Sequence, residues 1–154
     1  MGSTLEMNNI GKVISINISE KKGTIKKPIE KGMFKQNHGL VGDAHAGEWH
    51  RQISLLGIES IEKTRKQGID GLTPGVFAEN LTTEGIVLYE LPVGTKLKIG
   101  NTIQEVTQIG KKCHKGCEIK TKVGDCVMPR EGIFTKIIKD GEVKCGDKIE
   151  IIEA

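Results

Sequence analysis

IFTKIIKDGEVK, residues 133–144, carries the clearest combined strand and turn signal in this chain of 154 residues. Asp140-Gly141 separates the largely aliphatic run Ile133–Lys139 from a second short run at residues 142–144. An Asp-Gly pair between two such runs predicts a β-hairpin with a type I′ turn, in which both turn residues take positive φ. We therefore expect an antiparallel strand pair here.

Further strand patterns precede this stretch. Ile14, Ile16 and Ile18 alternate with polar residues, which predicts a strand with one face on the core. Pro28 favours another extended piece. Gly100-Asn101 divides a strand at residues 96–99 from one at residues 102–108. Strands therefore dominate the predicted structure.

One segment has a helical pattern. Leu56, Ile58, Ile61 and Arg65 follow a spacing of three to four residues, and Gly68 is expected to end the helix. Twenty glycines, one helix and many short strands predict a mainly β fold with few helices (α+β), closed or nearly closed as a β-barrel. The length fits one domain, so we expect residues 1–8 to be a leader or vector remnant and residues 9–154 to form a single domain.

Composition excludes several functional classes. A net charge of +3 and an aromatic content of 3% argue against a nucleic-acid partner, which needs a basic stripe and stacking aromatics. No apolar N-terminal stretch resembles a signal peptide or a membrane span, so we expect a cytoplasmic protein that does not bind a membrane. In a reducing compartment the four cysteines are thiols and not disulfides.

The first stretch of candidate functional residues runs from residue 42 to residue 52. The glycines at positions 39, 42 and 47 indicate that the polar loop from His38 to Glu48 needs backbone freedom. Asp43, His45, His50 and Arg51 lie close together in sequence and could converge on one anionic or metal-bearing ligand. The alternative is a solvated polar loop.

The second stretch spans residues 77–85. On a strand, Phe77, Glu79 and Leu81 would share one side, and Asn80 would face the other. A carboxylate between apolar neighbours is costly unless it is paired. Either Glu79 has a functional role, or it is a buried group satisfied by an arginine such as Arg51 or Arg130.

The third stretch, residues 111–132, contains Cys113, Cys117 and Cys126. Five lysines lie between residues 111 and 122. Positive charge lowers the pKa of a nearby thiol from its usual value of about 8.5 and favours the reactive thiolate. The lysines would also attract a phosphate-bearing ligand. The alternative for each cysteine is a small residue of the core.

The same thiols also permit a structural zinc site. Cys113 and Cys117 are spaced C-x3-C with His114 between them, and Cys126 follows nearby. Cys126 and Cys145 are too far apart in sequence to form a second tight ligand pair. A soft-metal or sulfur site is therefore favoured over a zinc site.

The order of these motifs resembles the MOSC family, named for the C-terminal domain of molybdenum cofactor sulfurases. The motifs are GLVGDAHAG at residues 39–47, RQISLL at 51–56, GVFAENLT at 75–82 and then the cysteine segment. The resemblance extends from about Val13 to Ile151. It implies a β-barrel-like domain in which one cysteine binds molybdenum or carries sulfur to it.

Within that resemblance, two cysteines compete for the reactive position. The residues around Cys117 and Val127-Met128-Pro129-Arg130 are similar to the segment around the molybdenum ligand in mitochondrial amidoxime-reducing enzymes, which makes Cys117 our expected catalytic residue and metal ligand. Cys113 is the alternative, because bacterial relatives that detoxify hydroxylated bases often place a cysteine soon after the preceding strand.

The resemblance also implies roles for the other polar residues. Arg51, Arg130 and the loop from Asp43 to His45 would hold the pterin and its phosphate. Glu79 and Asn80 would orient the pterin edge or fix an arginine.

The implied cofactor is the molybdenum cofactor (molybdopterin). We expect no pyridoxal-phosphate domain in this chain, so cofactor-biosynthesis or sulfur-donor proteins are the expected partners. Two alternatives stay open: a molybdenum-dependent reductase of N-hydroxylated bases or amidoximes, which needs an electron donor, and a zinc-stabilised binding module without catalysis.

Overall fold

The computed structural model describes residues 10–19, 26–44, 46–49, 51–66, 79–110 and 131–153. Within them the strands are β1 (Ile10–Ile18), β2 (Lys27–Ile29), β3 (Lys31–Lys35), β4 (Gly39–Leu40), β5 (Ile53–Gly57), β6 (Leu81–Glu84), β7 (Lys96–Ile99), β8 (Thr102–Ile109), β9 (Ile133–Lys139), β10 (Gly141–Lys144) and β11 (Lys148–Glu153). The helix α1 spans Ile58–Arg65, and a 3-10 helix spans Leu88–Glu90. This content confirms a mainly β fold with few helices.

Seven of these strands close into a barrel. Hydrogen-bonded neighbours follow the order β11, β7, β8, β9, β5, β6, β1, and β1 pairs again with β11. Among the described strands, only β5 and β6 pair in parallel. A parallel pair needs a crossover connection, and α1 lies in the connection between these two strands. The expected barrel is therefore confirmed, with the helix as part of its scaffold.

Two smaller elements flank the barrel. β2 extends the sheet beyond β1, which places Pro28 on an edge strand, where its missing N–H is tolerated. A separate three-stranded sheet has the order β10, β3, β4. No helix in the described part of the chain is long and apolar enough to cross a membrane.

Aliphatic side chains fill the barrel. Val13, Leu55, Leu81, Leu97 and Val106 are completely buried in one cluster. Burial of a side chain of this size stabilises a fold by roughly 1.5–3 kcal/mol. The low aromatic content therefore costs the protein little, because branched aliphatic residues suit a pleated, curved sheet.

The prediction of a hairpin at Asp140-Gly141 is wrong. β9 pairs with β8 and β5, whereas β10 leaves the barrel and pairs with β3. Neither Asp140 nor Gly141 has the positive φ that a type I′ turn requires. Glycine serves a different purpose here, because a Cβ at position 141 would collide with the backbone of Asn101. The tertiary pairing with β3 outweighs the local turn preference.

A glycine turn does form the hairpin between β7 and β8. Ile99 pairs with Thr102 across Gly100-Asn101, as the sequence predicts. Gly100 has a φ of +56°, and Asn101 is not among the residues with positive φ. This is the pattern of a type II′ turn, which needs glycine at its first position.

Two details of the predicted elements are wrong: the inward orientation of Ile14 and the assignment of Leu56 to the helix. The pairing of β1 with β6 shifts register between Val13 and Ser15, so Ile14 is only half-buried while Val13 and Ile16 face the core. Such a bulge changes which side chains point inward. Leu56 belongs to β5, and the helix begins two residues later at Ile58. The end predicted at Gly68 lies outside the described residues.

We expect Gly141→Ala to lower the free energy of unfolding by about 1–3 kcal/mol, because the added methyl group overlaps immobile backbone. Urea denaturation measures the change, with Glu142→Ala at the next position of β10 as the control. The half-buried Glu142 pairs with the exposed lysines Lys31 and Lys144, and such surface ion pairs are weak, so the control should change stability by less than about 1 kcal/mol. Equal effects of the two substitutions would show that the close contact with Asn101 is unimportant.

Candidate functional site

Asp43 is held by a lysine that the sequence did not single out. Lys26 Nζ lies 2.7 Å from Asp43 Oδ1, and both side chains are completely buried. The backbone N–H of Ser19 also donates to Asp43 Oδ1, at 3.1 Å. A second bond from Lys26 Nζ to Ser19 Oγ, at 3.0 Å, ties the end of β1 to the same pair. The glycine-containing loop is thus anchored to the barrel through a buried ion pair.

The environment of Asp43 favours its ionised form. Burial raises the pKa of the carboxyl, but the charge of Lys26 and the hydrogen bonds from Lys26, Ser19 and Asn80 outweigh burial and lower the pKa below the usual 3.8. The loop takes the expected backbone, with positive φ at Gly39, Gly42 and Gly47.

Asn80 joins three strands at the start of β6. Its side-chain oxygen accepts hydrogen bonds from the backbone N–H and the hydroxyl of Ser54, at 3.0 and 3.1 Å. Its amide nitrogen donates to the carbonyl of Asn17 at 3.2 Å. Asn80 is completely buried, and these contacts fix β5 and β1 against the first residues of β6. Its buried amide is therefore part of the framework of the site.

Glu79 belongs to the same buried polar group. Its carboxylate accepts a hydrogen bond from the Thr82 hydroxyl at 2.6 Å, and its carbonyl accepts one from Asn17 at 3.1 Å. Asn17 also accepts a hydrogen bond from Ser15 at 2.7 Å. Ser15 and Asn17 lie on the side of β1 that the alternating pattern predicts to face solvent. Both are buried, so both faces of β1 are covered here. Glu79 and Asn80 precede β6, which begins at Leu81.

Backbone pairing extends this polar group towards the cysteine segment. Asn80 bonds to Ser54, Ser54 pairs with Phe134, and Phe134 pairs with Gln108. The side chain of Gln108 accepts a hydrogen bond from Arg51 Nε at 3.1 Å. One row of neighbouring residues therefore connects Asn80 with the region of Arg51.

The two ends of the cysteine segment meet beside this row. Gln108 donates to the carbonyl of Gly110 at 2.7 Å, and the Gly110 N–H donates to the carbonyl of Gly132 at 2.7 Å. Gly110 has a φ of +70°, which favours glycine where the chain turns away from β8. Gly110 and Gly132, which lie on either side of residues 111–130 in the sequence, are therefore bonded to each other, and Gln108 links Gly110 to Arg51.

Two aromatic rings support the Arg51 guanidinium. Its central carbon lies 5.4 Å from the centroid of Phe134 and 6.0 Å from that of Trp49. Both distances are within the range of cation–π contacts. Arg51 does not pair with Glu79, which was one predicted explanation for that buried carboxylate.

Several predicted site residues lie outside the described residues. They are Cys113, Cys117, His45 and Arg130, together with His50, His114 and Cys126. The fourth cysteine, Cys145, is an exposed free thiol. Its neighbours Lys144 and Asp147 line a surface cavity with Gly100 and Asn101, at the opposite end of β8 from Gly110.

No cluster of three or more His, Cys, Asp or Glu side chains suited to a metal ion occurs among the described residues, which do not include the cysteine segment.

Lys26, Asn17 and Gln108 contribute to the site but were not predicted as site residues. Lys26 stands in a lysine-rich stretch that gives no sign of which lysine is buried. Asn17 occupies the polar side of an alternating strand, the position usually exposed to solvent. Lys26, two residues before Pro28, and Asp43, in a glycine-containing loop, become partners only through the barrel topology.

We expect Lys26→Met to lower the free energy of unfolding at pH 7 by about 3–5 kcal/mol, because Asp43 would remain as a buried charge without its partner. The double variant Lys26→Met/Asp43→Asn should recover much of this loss, because it removes both charges. Chemical denaturation of both variants makes the comparison. No recovery in the double variant would mean that charge pairing is not the main role of Lys26.

The same pair has a defined pH dependence. The folded-state pKa of Asp43 is lowered, so its ionised form stabilises the protein fully above the usual value of 3.8. This contribution is lost as pH falls through the lowered folded-state pKa. The difference in stability between wild type and the double variant should shrink in that acidic range.

Comparison with solved structures supports the fold. The crystal structure of YuaD from Bacillus subtilis aligns with a TM-score of 0.72 at 22% identity, covering 92% of this chain and 94% of that protein. YiiM from Geobacillus stearothermophilus aligns at 0.72 and 16% identity, covering 93% and 75%. YiiM from Escherichia coli aligns at 0.66 and 18% identity, covering 93% and 70%.

Identities at this level show a common fold only. No curated protein matches the sequence. The sequence profile of the MOSC domain matches residues 42–150, a span that includes Asp43, Arg51, Asn80 and the whole cysteine segment. The chain therefore belongs to the MOSC domain family.

Proposed function

We propose that this protein binds the molybdenum cofactor, or carries sulfur to it, at a reactive cysteine in residues 111–130. The observation that carries the proposal is the bond from Arg51 to Gln108, which is itself bonded to Gly110, the last described residue before this segment. The family relates to molybdenum cofactor binding or sulfur transfer, and in this proposal Arg51 supplies a cation for the ligand of the expected thiol.

Arg51 suits an anionic ligand. Gln108 accepts from Nε, and Phe134 and Trp49 lie against the guanidinium group. These contacts restrain its orientation and leave the two terminal amino groups without a hydrogen bond to the described residues. Two parallel N–H donors match the oxygens of a phosphate group. Arg51 would therefore hold the pterin phosphate without first reorganising.

Cys117 is the proposed reactive residue, and Cys113 is the alternative. The surrounding lysines would hold the thiol as a thiolate near neutral pH. A thiolate is a suitable ligand for a soft, redox-active metal, and the bound molybdenum centre would supply redox chemistry. A persulfide on the same sulfur would transfer its outer sulfur atom to a nucleophilic acceptor and regenerate the Cys117 thiolate.

Asp43, Glu79 and Asn80 would act mainly by holding the loop and strand ends of the site in place, and not by contacting a ligand. Each is buried and already bonded to protein groups, so movement towards a ligand would break these bonds. We propose that Asp43 holds the loop carrying His45 and that Asn80 fixes the strand ends beneath it. Arg130 would contribute a second cation from the cysteine segment.

This function requires partners. A protein of the cofactor-biosynthesis or sulfur-donor class would deliver cofactor or persulfide, in a reducing cytoplasm where the thiol is kept reduced. An electron donor would be needed only for the reductase alternative.

The proposal predicts that protein purified from a cofactor-producing host contains molybdenum and pterin, and that Cys117→Ser reduces the molybdenum content by at least about tenfold, because the hydroxyl is a poor ligand for a soft metal. Elemental analysis and pterin fluorescence measure the two contents. For the sulfur-carrier form, mass spectrometry should detect one additional sulfur atom on Cys117.

Cys145→Ser is the matched control, because it removes an exposed thiol outside residues 111–130. It should leave the molybdenum, pterin and persulfide content unchanged. Absence of cofactor and persulfide in wild type, or equal contents in wild type and Cys117→Ser and Cys113→Ser variants, would contradict the proposal.

A further inference from the structure

Trp49 is the only tryptophan of the chain, and it is not part of the core. Of the described Phe, Tyr and Trp side chains it is the most exposed, at 37%. Phe34 and Phe134 are buried, and Tyr89 packs against the core. Tryptophan offers one of the largest apolar contact areas of any side chain. More than a third of this residue is therefore accessible to another molecule.

The backbone that carries Trp49 is held in place. The Trp49 N–H donates to the carbonyl of Gly47 at 3.0 Å, and the Gly47 N–H donates to the carbonyl of His38 at 2.5 Å. The Ala46 N–H donates to the carbonyl of Asp43 at 3.2 Å, and Asp43 belongs to the buried ion pair described above. A ligand that contacts the ring would thus order little additional backbone, which lowers the entropic cost of binding.

The Trp49 ring and the Arg51 guanidinium form one surface. The central carbon of the guanidinium lies 6.0 Å from the centroid of Trp49, and Phe134 supports the same group at 5.4 Å. Gln108 accepts from Nε, and the terminal amino groups of Arg51 make no hydrogen bond within the described ranges. An anion bound by these amino groups would therefore lie close to an exposed aromatic ring.

This pairing favours a ligand that combines a flat ring with an anionic group. Flat heteroaromatic rings stack on aromatic side chains, which strengthens binding by roughly fivefold to a hundredfold per ring. The planar guanidinium matches the oxygens of a phosphate. Inorganic phosphate would leave the Trp49 ring unused, and a neutral aromatic molecule would leave the charge of Arg51 unused.

We propose that Trp49 is a specificity-determining residue of the site, and that its indole ring stacks on the pterin ring of a ligand whose phosphate Arg51 binds. The inference rests on the proposed function for the choice of a pterin. It adds the residue that selects the ring, which is separate from the chemistry of the thiol.

Neopterin monophosphate is a suitable probe, because it carries a pterin ring and a phosphate on a short side chain. Fluorescence anisotropy of the pterin measures its binding to the full chain. Trp49→Leu keeps an apolar side chain but removes the ring, and it should weaken binding by about fivefold to a hundredfold. Trp49→Phe retains an aromatic ring and should recover most of this loss.

Inorganic phosphate separates ring stacking from the support that Trp49 gives to Arg51. Its affinity can be measured from the NMR signal of the Arg51 Nε–H group. Gln108 and Phe134 still hold Arg51 in the Trp49→Leu variant, so its phosphate affinity should change by less than about twofold. Val93→Ala is a control for the pterin measurement, because it shortens an apolar side chain that is 61% exposed outside the site. It should leave the affinity for neopterin monophosphate unchanged.

Four results would overturn the inference. They are binding of neopterin monophosphate weaker than about 1 mM, equal affinities of wild type and Trp49→Leu, a Trp49→Phe variant as weak as Trp49→Leu, and an equal loss of phosphate and pterin binding in Trp49→Leu. Guanosine monophosphate also joins a fused ring to a phosphate, and equal or tighter binding of this nucleotide would overturn the assignment to a pterin. The assay contains no molybdenum and uses no thiol reaction, so its failure is distinguishable from failure of the proposed function.

Discussion

The arrangement of the strands around the site depends on the hydrogen bonds of the Asn80 side chain. It binds Ser54 on β5 and Asn17 on β1 at the residue before β6 begins. This point joins the parallel pair of the barrel to its antiparallel part. An apolar residue here would leave buried polar groups of two strands without partners, which costs far more than one ordinary hydrogen bond contributes.

The polar residues of the site are of two kinds, those that are buried and bonded to each other and one that is partly exposed. Asp43, Lys26, Glu79 and Asn80 are buried and mutually bonded, so they define where the loop and strand ends lie. Arg51 is only partly buried and is bonded to Gln108, two residues before Gly110. A buried network that is already satisfied keeps its shape when a ligand binds, and a partly exposed cation then acts from a fixed position.

The sequence predicted those parts of the fold that depend on local signals. The β7–β8 hairpin follows from Gly100, and the loop that contains Asp43 follows from its glycines. Local signals failed at Asp140-Gly141, where pairing of β10 with β3 sets the chain direction. They also failed at Lys26, because burial of one lysine among many depends on a partner distant in sequence. Asp43, Glu79 and Asn80 were found as unusual polar residues, but their bonding partners required the topology.

The central claim is that Cys117, or else Cys113, carries an ionised sulfur atom close to Arg51. Site-resolved alkylation by iodoacetamide, followed by mass spectrometry between pH 6 and pH 9, tests this claim most directly. The account predicts that near pH 7 one of these two thiols reacts about tenfold or more faster than the exposed Cys145, because a larger fraction of it is thiolate. If Cys145 reacts as fast as both or faster, the thiolate is not activated and the account is contradicted.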